Sequence, residues 1–216
     1  MHAVLCANAP FSEEAIALLR EATQRADLLV GVDGGARTLM RYGLTPQLVT
    51  GDGDSLTKEE QDALVRAGTE LVPTPDQDFT DLDKALAYVI AVKGATKITV
   101  FGATGGRLDH SYSVFSALIK HGRSAQSAQI ELVDETATYE LVVGEWQKSG
   151  ENLVGRTLSL LALGRVEGIT TIGVRWPLVN DWLAPGLRDG TLNEITEASV
   201  RVQARSGDLI VMLHHL

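Results

Sequence analysis

The hydrophobic period of this chain changes near residue 134, and this change limits the folds that the sequence can adopt. Before that point, short apolar runs alternate with segments of helical periodicity. The runs predicted as strands cover residues 3–7, 27–32, 47–50, 70–73, 97–102 and 129–134. Because strands that alternate with helices build βαβ units, this part of the chain predicts a mostly parallel sheet with helices on both faces.

Two of the intervening segments show the helical pattern clearly. Each predicts one apolar helix face, because residues three and four apart lie on the same side of a helix. The first face comprises Leu82, Ala85, Leu86, Val89 and Ile90, and the second comprises Leu108, Tyr112, Phe115 and Ile119. Ser12 and Thr57 precede helical segments and are predicted N-caps.

After about Thr136 the helical period disappears. "TLSLLAL", "ITTIGV", "SVRVQA" and "DLIVMLHH" are short β-rich runs separated by Gly, Asn, Asp and Pro. This pattern is typical of a small antiparallel sandwich or barrel. The sequence therefore predicts an α/β domain over residues 1–135, followed by an all-β sandwich domain over residues 136–216.

Charge and cysteine content exclude several classes of protein. The formal net charge of -9 argues against a nucleic-acid partner, because such domains usually carry a basic face. The single cysteine, Cys6, lies in an apolar run, which predicts a buried thiol and excludes a disulfide within one chain. No apolar run reaches the roughly 20 residues of a membrane span, and the first residues lack the pattern of a signal peptide. We therefore expect a cytoplasmic protein without a membrane partner.

Motifs rich in glycine and aspartate follow four of the predicted strands. They are "VDGGA" (32–36), "GDGDS" (51–55), "TPDQDFTDLDKA" (74–85) and "GATGGRLDH" (102–110). The carboxyl ends of parallel strands share one edge of a sheet, which is where ligands bind in such folds. Four motifs in register at that edge indicate one common site.

The residue types in these motifs favour metal-assisted transfer of a phosphoryl-type group. Carboxylates are hard oxygen ligands, and clustering them is costly without a cation; the candidates are Asp52, Asp54, Asp81 and Asp109. Mg²⁺ fits best, because it binds a few carboxylates and shares its other positions with water and phosphate oxygens. Glycines let backbone N–H groups approach phosphates, here Gly34, Gly35, Gly105 and Gly106. Arg107 can neutralise charge that develops on the phosphate oxygens.

Each motif also has a plainer interpretation. "GDGDS" alone is more often a turn than a metal site, and Thr80 and Asp109 are also candidate helix N-caps, with "TDLD" resembling a capping box. Asp76 and Asp83 are predicted to be solvated or to make local hydrogen bonds. His110 is either a neighbour of the site or a structural histidine. A Walker A motif and a G-x-G-x-x-G motif are both absent from the sequence, which argues against a P-loop kinase or a dinucleotide enzyme.

Taken in order, "DGGA", "GDGDS", "PDQDFTDLDKAL" and "GATGGRLDH" resemble the thiamine pyrophosphokinase family. That family pairs an N-terminal α/β domain with a C-terminal β-sandwich. The C-terminal likeness, in "TTIGVRWPL" (170–178) and "TLNEI" (191–195), is looser. The resemblance implies transfer of the terminal diphosphate of ATP to the hydroxyl of thiamine, giving thiamine diphosphate and AMP.

By motif position, the resemblance also implies roles for individual residues. Asp52, Asp54 and Asp81 hold Mg²⁺ and the phosphates, while Asp109 holds metal or orients the nucleophile. Other residues contact the nucleotide: Asp33, Gly34 and Gly35 line its pocket together with Asn8, a weaker candidate, and Gln77, Thr80 and Arg107 contact its phosphates.

The resemblance further implies that thiamine binds in the C-terminal domain. Trp176 offers an aromatic face to this flat cation, although the same residue could instead be packed inside the sandwich. Asn193 matches a thiamine-contacting position. The family forms homodimers with sites at the subunit interface, so a homodimer is implied here.

Two departures and two rival functions stand beside this interpretation. Gly53 replaces a bulky aromatic residue of the family, and Leu192 replaces a serine. These two changes affect the fit of the substrate more than the metal centre.

One rival function is that of another Mg²⁺-dependent enzyme, such as a nucleotidyl or sugar-nucleotide transferase. The other is a non-catalytic module that binds thiamine or a nucleotide.

Overall fold

The structure is a computed structural model that describes residues 1–124 and 128–215. The chain divides into two compact units, of which the first is Met1–Glu135 and the second begins at Thr136.

The first unit is built on a parallel sheet of six strands. These are β1 (His2–Cys6), β2 (Leu28–Val32), β3 (Leu48–Gly51), β4 (Glu70–Pro73), β5 (Lys97–Phe101) and β6 (Gln129–Val133). Their order in the sheet is β6-β5-β1-β2-β3-β4, and every neighbouring pair is parallel. All six predicted strands are confirmed, with ends that differ by at most one residue. Apart from the edge strand β4, their nearly continuous apolar character fits strands that are covered on both faces.

Strand order reverses at β1, and this position determines where a ligand can bind. From β1 the chain proceeds outward through β2 and β3 to β4, and then returns to place β5 on the other side of β1. The loops that leave the carboxyl ends of β1 and β5 therefore diverge, which opens a crevice at that edge of the sheet.

Over the residues that the structure describes, five helices connect these strands, and their starts confirm several predicted caps. They are α1 (Glu13–Gln24), α2 (Gly35–Arg41), α3 (Lys58–Arg66), α4 (Asp81–Ala91) and α5 (Leu108–Gly122). Ser12, Thr57 and Thr80 are the N-caps of α1, α3 and α4, and each side chain accepts a backbone N–H bond. The interpretation of Asp109 as an N-cap is wrong, because the N-cap position of α5 is Arg107 and Asp109 lies within the first turn.

The face that α5 buries differs from the predicted one. Leu108 and Tyr112 are 85% and 70% exposed, whereas Val114, Ala117 and Leu118 are buried. Helix α5 carries apolar residues on two sides, so the sequence period fits both. Packing within the unit selects the side that is buried.

The core of the first unit contains the single cysteine. Cys6 is fully buried and packs in a cluster with Val4, Leu19 and Phe101. Burial disfavours the thiolate and raises the pKa of Cys6 to about 12. The predicted buried thiol is confirmed.

The second unit consists of two antiparallel sheets, which confirms the predicted change to an all-β domain. Its strands are β7 (Ala137–Leu141), β8 (Glu145–Ser149), β9 (Thr157–Ala162), β10 (Val166–Ile172), β11 (Asp181–Leu183), β12 (Gly190–Glu194), β13 (Ser199–Gln203) and β14 (Leu209–His214). Within this unit the strand orders are β12-β9-β14-β7 and β11-β10-β13-β8. Side chains from both sheets, including Leu158, Ile169 and Val200, form one apolar core. Of the helices in the described part of the chain, none has the length and apolar character needed to cross a membrane.

Candidate active site

Three carboxylates meet at the carboxyl ends of β2 and β3. Asp33 directly follows β2, and Asp52 and Asp54 follow β3. Because β2 and β3 are neighbouring parallel strands, their outgoing loops lie side by side. One carboxylate oxygen from each of the three residues lies within 4.8 Å of the others. We call Asp33, Asp52 and Asp54 the acidic trio; the sequence placed Asp33 in the nucleotide pocket and did not predict that it would join the other two.

Asp33 is held in an unusual backbone conformation. Its φ of 48° lies in the left-handed region that residues other than glycine adopt infrequently. One carboxylate oxygen, Oδ2, accepts a hydrogen bond from the Ser55 hydroxyl. The other, Oδ1, is buried and has no hydrogen-bond partner among the described residues. A buried oxygen of this kind is costly unless a cation or a donor contacts it, so it suits a metal ligand.

Asp52 and Asp54 influence each other's protonation. The backbone N–H of Asp54 donates to Asp52 Oδ1 at 3.2 Å, and Gln77 Nε2 donates to Asp52 Oδ2 at 3.4 Å. These bonds lower the pKa of Asp52 below its ordinary value. Hydrogen bonding to Asp52 and repulsion by its charge raise the pKa of Asp54. A divalent cation between such oxygens relieves the repulsion, and the donor set fits Mg²⁺.

A cavity of about 460 Å³ lies at the point where the strand order reverses. It is bounded by the loops after β1, β2 and β5 and by the first turn of α4. Its lining includes most of the polar residues that the sequence predicted to contact the nucleotide: Asn8, Asp33, Thr80, Asp81 and Arg107. His110 also lines this cavity, as a neighbour of the site. A smaller cavity of about 190 Å³ lies beside β3 and β4 and is lined by Asp33, Asp52 and Gly53.

Asp81 lies in the large cavity but outside the acidic trio. Its Oδ1 is 2.8 Å from the ammonium nitrogen of Lys84. The same ammonium donates to the carbonyl oxygens of Thr74 and Asp76, at 2.8 and 2.9 Å, and the Lys84 side chain is only 10% exposed. Lys84 thus holds Asp81 against the loop that also carries Gln77. The role of Asp81 as a metal ligand stays a prediction.

Arg107 and Asp109 form an exposed ion pair at the start of α5. Two bonds join them, at 2.5 and 3.1 Å. The pairing lowers the pKa of Asp109 and raises the pKa of Arg107. Arg107 lines the cavity, and Asp109 binds its guanidinium through both carboxylate oxygens. Asp109 lies outside the acidic trio, and its role in holding a metal or orienting the nucleophile stays a prediction.

The four predicted glycines divide into two pairs. A Cβ on Gly35 would lie 1.9 Å from the carbonyl oxygen of Cys6, and one on Gly34 would lie 2.4 Å from Asn8 Nδ2. Gly35 is therefore required by packing against the backbone of β1, whereas an added Cβ at Gly34 meets only the Asn8 side chain, which can move. Around Gly105 and Gly106 the described residues leave open space, so their backbone is accessible to a phosphate.

The two predicted thiamine-binding residues contact each other in the second unit. The Trp176 backbone N–H donates to Asn193 Oδ1 at 3.1 Å, and Asn193 Nδ2 donates to the Trp176 carbonyl oxygen at 2.7 Å. Trp176 is 58% exposed, so the alternative in which it packs inside the sandwich is wrong. Leu192, next to Asn193, has a φ of 61° and an exposed side chain.

Two further aspartates near the site differ in their surroundings. Asp76 accepts a local bond from the Asp78 backbone N–H at 2.8 Å, which confirms its predicted role. The prediction that Asp83 is solvated or bonds locally is wrong for its carboxylate, because Asp83 is buried and bonds Lys120 and His121.

Two residues that shape the site are not predicted from the sequence. Ser55 lies inside the quoted "GDGDS" motif, yet only the structure shows that its hydroxyl contacts Asp33. Lys84 follows Asp81 by three residues on α4, a spacing at which opposite charges pair on a helix. That spacing could have identified Lys84.

Comparisons with known proteins agree over nearly the whole chain. The family described as "Thiamin pyrophosphokinase, catalytic domain" matches residues 19–132, and "Thiamin pyrophosphokinase, vitamin B1 binding domain" matches residues 147–209. The thiamine pyrophosphokinase of Bacillus subtilis (strain 168) is 30% identical over 88% of this chain and 88% of its own length. Thiamine pyrophosphokinase 1 of Oryza sativa subsp. japonica is 28% identical over 86% of this chain and 78% of its own length.

Solved structures give the same result. The thiamine pyrophosphokinase of Bacillus subtilis superposes with a TM-score of 0.82 at 26% identity, over 99% of both chains. That of Geobacillus thermodenitrificans superposes with a TM-score of 0.81 at 26% identity, over 100% of this chain and 98% of its own.

Proposed function

This chain belongs to the thiamine pyrophosphokinase family, and we propose that it transfers the terminal diphosphate of ATP to the hydroxyl of thiamine with the help of Mg²⁺. The products are thiamine diphosphate and AMP. The observation that carries the proposal is the acidic trio, Asp33, Asp52 and Asp54, beside a cavity of about 460 Å³ at the reversal of strand order. This arrangement suits a polyanion that binds together with a divalent cation.

The acidic trio is the proposed Mg²⁺ site, with Asp81, which lines the same cavity as Asp33, as a further proposed ligand. When bound, Mg²⁺ neutralises charge on the phosphate oxygens and fixes the geometry of the triphosphate. Arg107 supplies a cation at the cavity wall, oriented by Asp109. Gln77, Thr80 and the open backbone at Gly105 and Gly106 are the proposed polar contacts to the phosphates. The start of α4, which the cavity exposes, adds the positive end of a helix dipole.

The acceptor is proposed to bind on the second unit. Thiamine is cationic and flat, so its ring suits the exposed face of Trp176, whose backbone Asn193 fixes. The thiamine hydroxyl attacks the β-phosphorus of ATP in line, and AMP leaves. No covalent intermediate is needed, because positioning and charge neutralisation supply most of the catalysis in such transfers. We also propose a cytoplasmic homodimer in which each site is completed by the partner subunit.

The decisive experiment measures both products at once. The protein is incubated with thiamine, ATP and Mg²⁺, and AMP and thiamine diphosphate are quantified together. The test variant is Asp54→Asn, which removes one charge of the acidic trio at nearly constant volume. The matched control is Asp62→Asn, which removes the charge of a half-buried aspartate that pairs with Lys58 on α3.

The outcomes separate the rival functions. Equal amounts of AMP and thiamine diphosphate, lost in Asp54→Asn and retained in Asp62→Asn, support the proposal. ADP with thiamine monophosphate would identify an ordinary kinase. If no product forms, a thiamine-binding titration on the same protein follows, and binding without turnover would identify a non-catalytic module. Turnover of a sugar nucleotide supplied in place of thiamine would identify the other transferase.

A further inference from the structure

We propose that Arg37 and Glu60 are positioning residues that keep the three carboxylates of the acidic trio in the arrangement that binds a divalent cation. This inference deepens the proposed function and rests on it. Asp33 belongs to the loop before α2, while Asp52 and Asp54 belong to the loop before α3. The ligand atoms keep a common geometry only if the starts of these two helices keep a fixed distance.

A bidentate ion pair joins the two helices. Arg37 Nε donates to Glu60 Oε1 at 2.6 Å, and Arg37 Nη2 donates to Glu60 Oε2 at 2.7 Å. Two parallel bonds of this kind fix orientation as well as distance, which a single lysine contact does not. Arg37 lies on α2, four residues after Asp33, and Glu60 lies in the first turn of α3.

Glu60 is itself fixed to the start of its helix. Its Oε2 accepts the backbone N–H of Thr57 at 2.8 Å, and the Thr57 hydroxyl accepts the Glu60 backbone N–H at 3.3 Å. This reciprocal capping box means that the carboxylate that grips Arg37 cannot swing freely. The bonds from Arg37 and Thr57 also lower the pKa of Glu60 to about 2, so the pair is fully charged at neutral pH.

The acidic loop is tied to the same helix start. Gln61, adjacent to Glu60, donates through Nε2 to the carbonyl oxygens of Gly53 and Leu56, at 3.1 and 3.2 Å. Gly53 separates Asp52 from Asp54, and Ser55 bonds Asp33 across the two loops. Contacts therefore run without a gap from Arg37 on α2 through Glu60 and Gln61 to both sides of the acidic trio.

Positioning and simple electrostatics predict opposite effects for Arg37→Met. The charge of Asp33 contributes to the raised pKa of Arg37, after the larger effect of the bond to Glu60, so the two charges influence each other. Removing the cation alone should strengthen the attraction of the acidic trio for a metal ion. Losing the Arg37–Glu60 ion pair should weaken metal binding, because the three carboxylates are no longer held in one arrangement.

The test measures Mn²⁺ binding directly, without turnover. Mn²⁺ is titrated into the full-length protein, and the electron paramagnetic resonance signal of free Mn²⁺ is followed. Arg37→Met should weaken Mn²⁺ binding roughly tenfold, the lower end of effects seen for residues that support metal ligands. Arg37→Lys, which keeps the charge but loses the two-bond geometry, should weaken it by a smaller factor.

Lys93→Met is the matched control. Lys93 bonds Glu70 at 2.6 Å, but this pair lies at the start of β4, away from the carboxyl ends of the strands. The Lys93→Met variant should leave Mn²⁺ binding unchanged, and its melting temperature shows the effect of losing an ion pair in the same unit. If Arg37→Met does not fold, Arg37→Lys decides the question.

Two results overturn the inference, and they are distinguishable. Mn²⁺ binding by both Arg37 variants that equals or exceeds the wild type would show that the pair does not position the acidic trio. No Mn²⁺ binding by the wild-type protein would remove the proposed metal site itself, and with it both the metal role in the proposed function and this inference.

Discussion

At the scale of single residues, Gly35 meets two requirements at one position. It begins α2 directly beside the acidic trio, and its Cα lies so close to β1 that a Cβ would stand 1.9 Å from the Cys6 carbonyl oxygen. The backbone of β1 cannot move without disturbing its pairing with β2 and β5. Gly35 is therefore a packing residue whether or not a phosphate binds there.

We expect Gly35→Ala to lower the free energy of unfolding by about 2 kcal/mol or more, because the methyl group overpacks a backbone contact. Gly106→Ala is the control, since nothing in the described chain lies within 4 Å of its added methyl group. That variant should stay within about 0.5 kcal/mol of wild type. Urea unfolding followed by circular dichroism measures both, and equal stability of the two variants would contradict the structure.

Trp176 provides a second prediction at this scale. Its exposed ring contributes little to folding, whereas a cation stacked on it gains up to about 2 kcal/mol. Trp176→Ala should raise the KM for thiamine roughly tenfold and leave the KM for ATP unchanged. Leu187→Ala, at another exposed apolar residue of the same unit, serves as the control in the same steady-state assay. A parallel rise in both KM values would argue against a thiamine contact.

At the scale of elements, one buried ionic cluster joins α4 to α5. Burial of Asp83 opposes its charge, but hydrogen bonds from Lys120, at 2.7 and 3.0 Å, and from His121 outweigh that effect and lower its pKa. A carboxylate with a lowered pKa in the folded state stabilises the fold above its ordinary pKa. That contribution disappears as the pH falls through the lower, folded-state value.

Asp83→Asn should therefore cost roughly 2 kcal/mol of unfolding free energy at pH 7, because the two donors lose a charged partner. The difference from wild type should shrink as the pH falls below the ordinary pKa of an aspartate and towards the lower pKa of Asp83 in the folded state. Urea unfolding at pH 7 and near pH 3 measures it, if both proteins remain folded at the lower pH. A difference that does not change with pH would show that Asp83 acts through packing rather than charge.

The positions of the strands and helices can be predicted closely from the sequence, but the face that a helix buries and its distant partners cannot. Each parallel strand is a short apolar run ended by Gly and Asp, so its position is visible from local residues alone. The sequence predicts the wrong buried face of α5, because apolar residues at helical spacing occur on two sides of this helix. Leu108 and Tyr112 lie on the exposed side, and Val114 and Leu118 lie on the buried side. Asp83 was mispredicted because its partner Lys120 lies 37 residues away.

In the candidate active site too, residues of one motif can be predicted from the sequence, whereas a residue that joins them through the fold cannot. Asp52 and Asp54 were identified because they share one motif. Asp33 joins them only through the pairing of β2 with β3 and its own left-handed backbone. Neither feature is visible in a local pattern.

At the scale of the whole molecule, the proposed donor and acceptor residues lie in different units of the chain. Asp54 belongs to the first unit and Trp176 to the second. If each active site takes its first unit from one subunit and its second from the partner, two inactive variants can complement each other. Asp54→Asn removes a proposed metal ligand, and Trp176→Arg replaces the stacking ring with a charge that repels thiamine.

We expect the two variants to be nearly inactive alone and to regain activity when produced together. In a mixed dimer, one site carries both substitutions and the other carries neither. Random assembly makes about half of the dimers mixed, so about a quarter of the wild-type activity should return. The assay uses thiamine below its KM, and Asp54→Asn produced with Asp62→Asn shows the activity that one unimpaired subunit contributes. If each site lies within one chain, every site in the first mixture retains one substitution, and producing the variants together restores nothing.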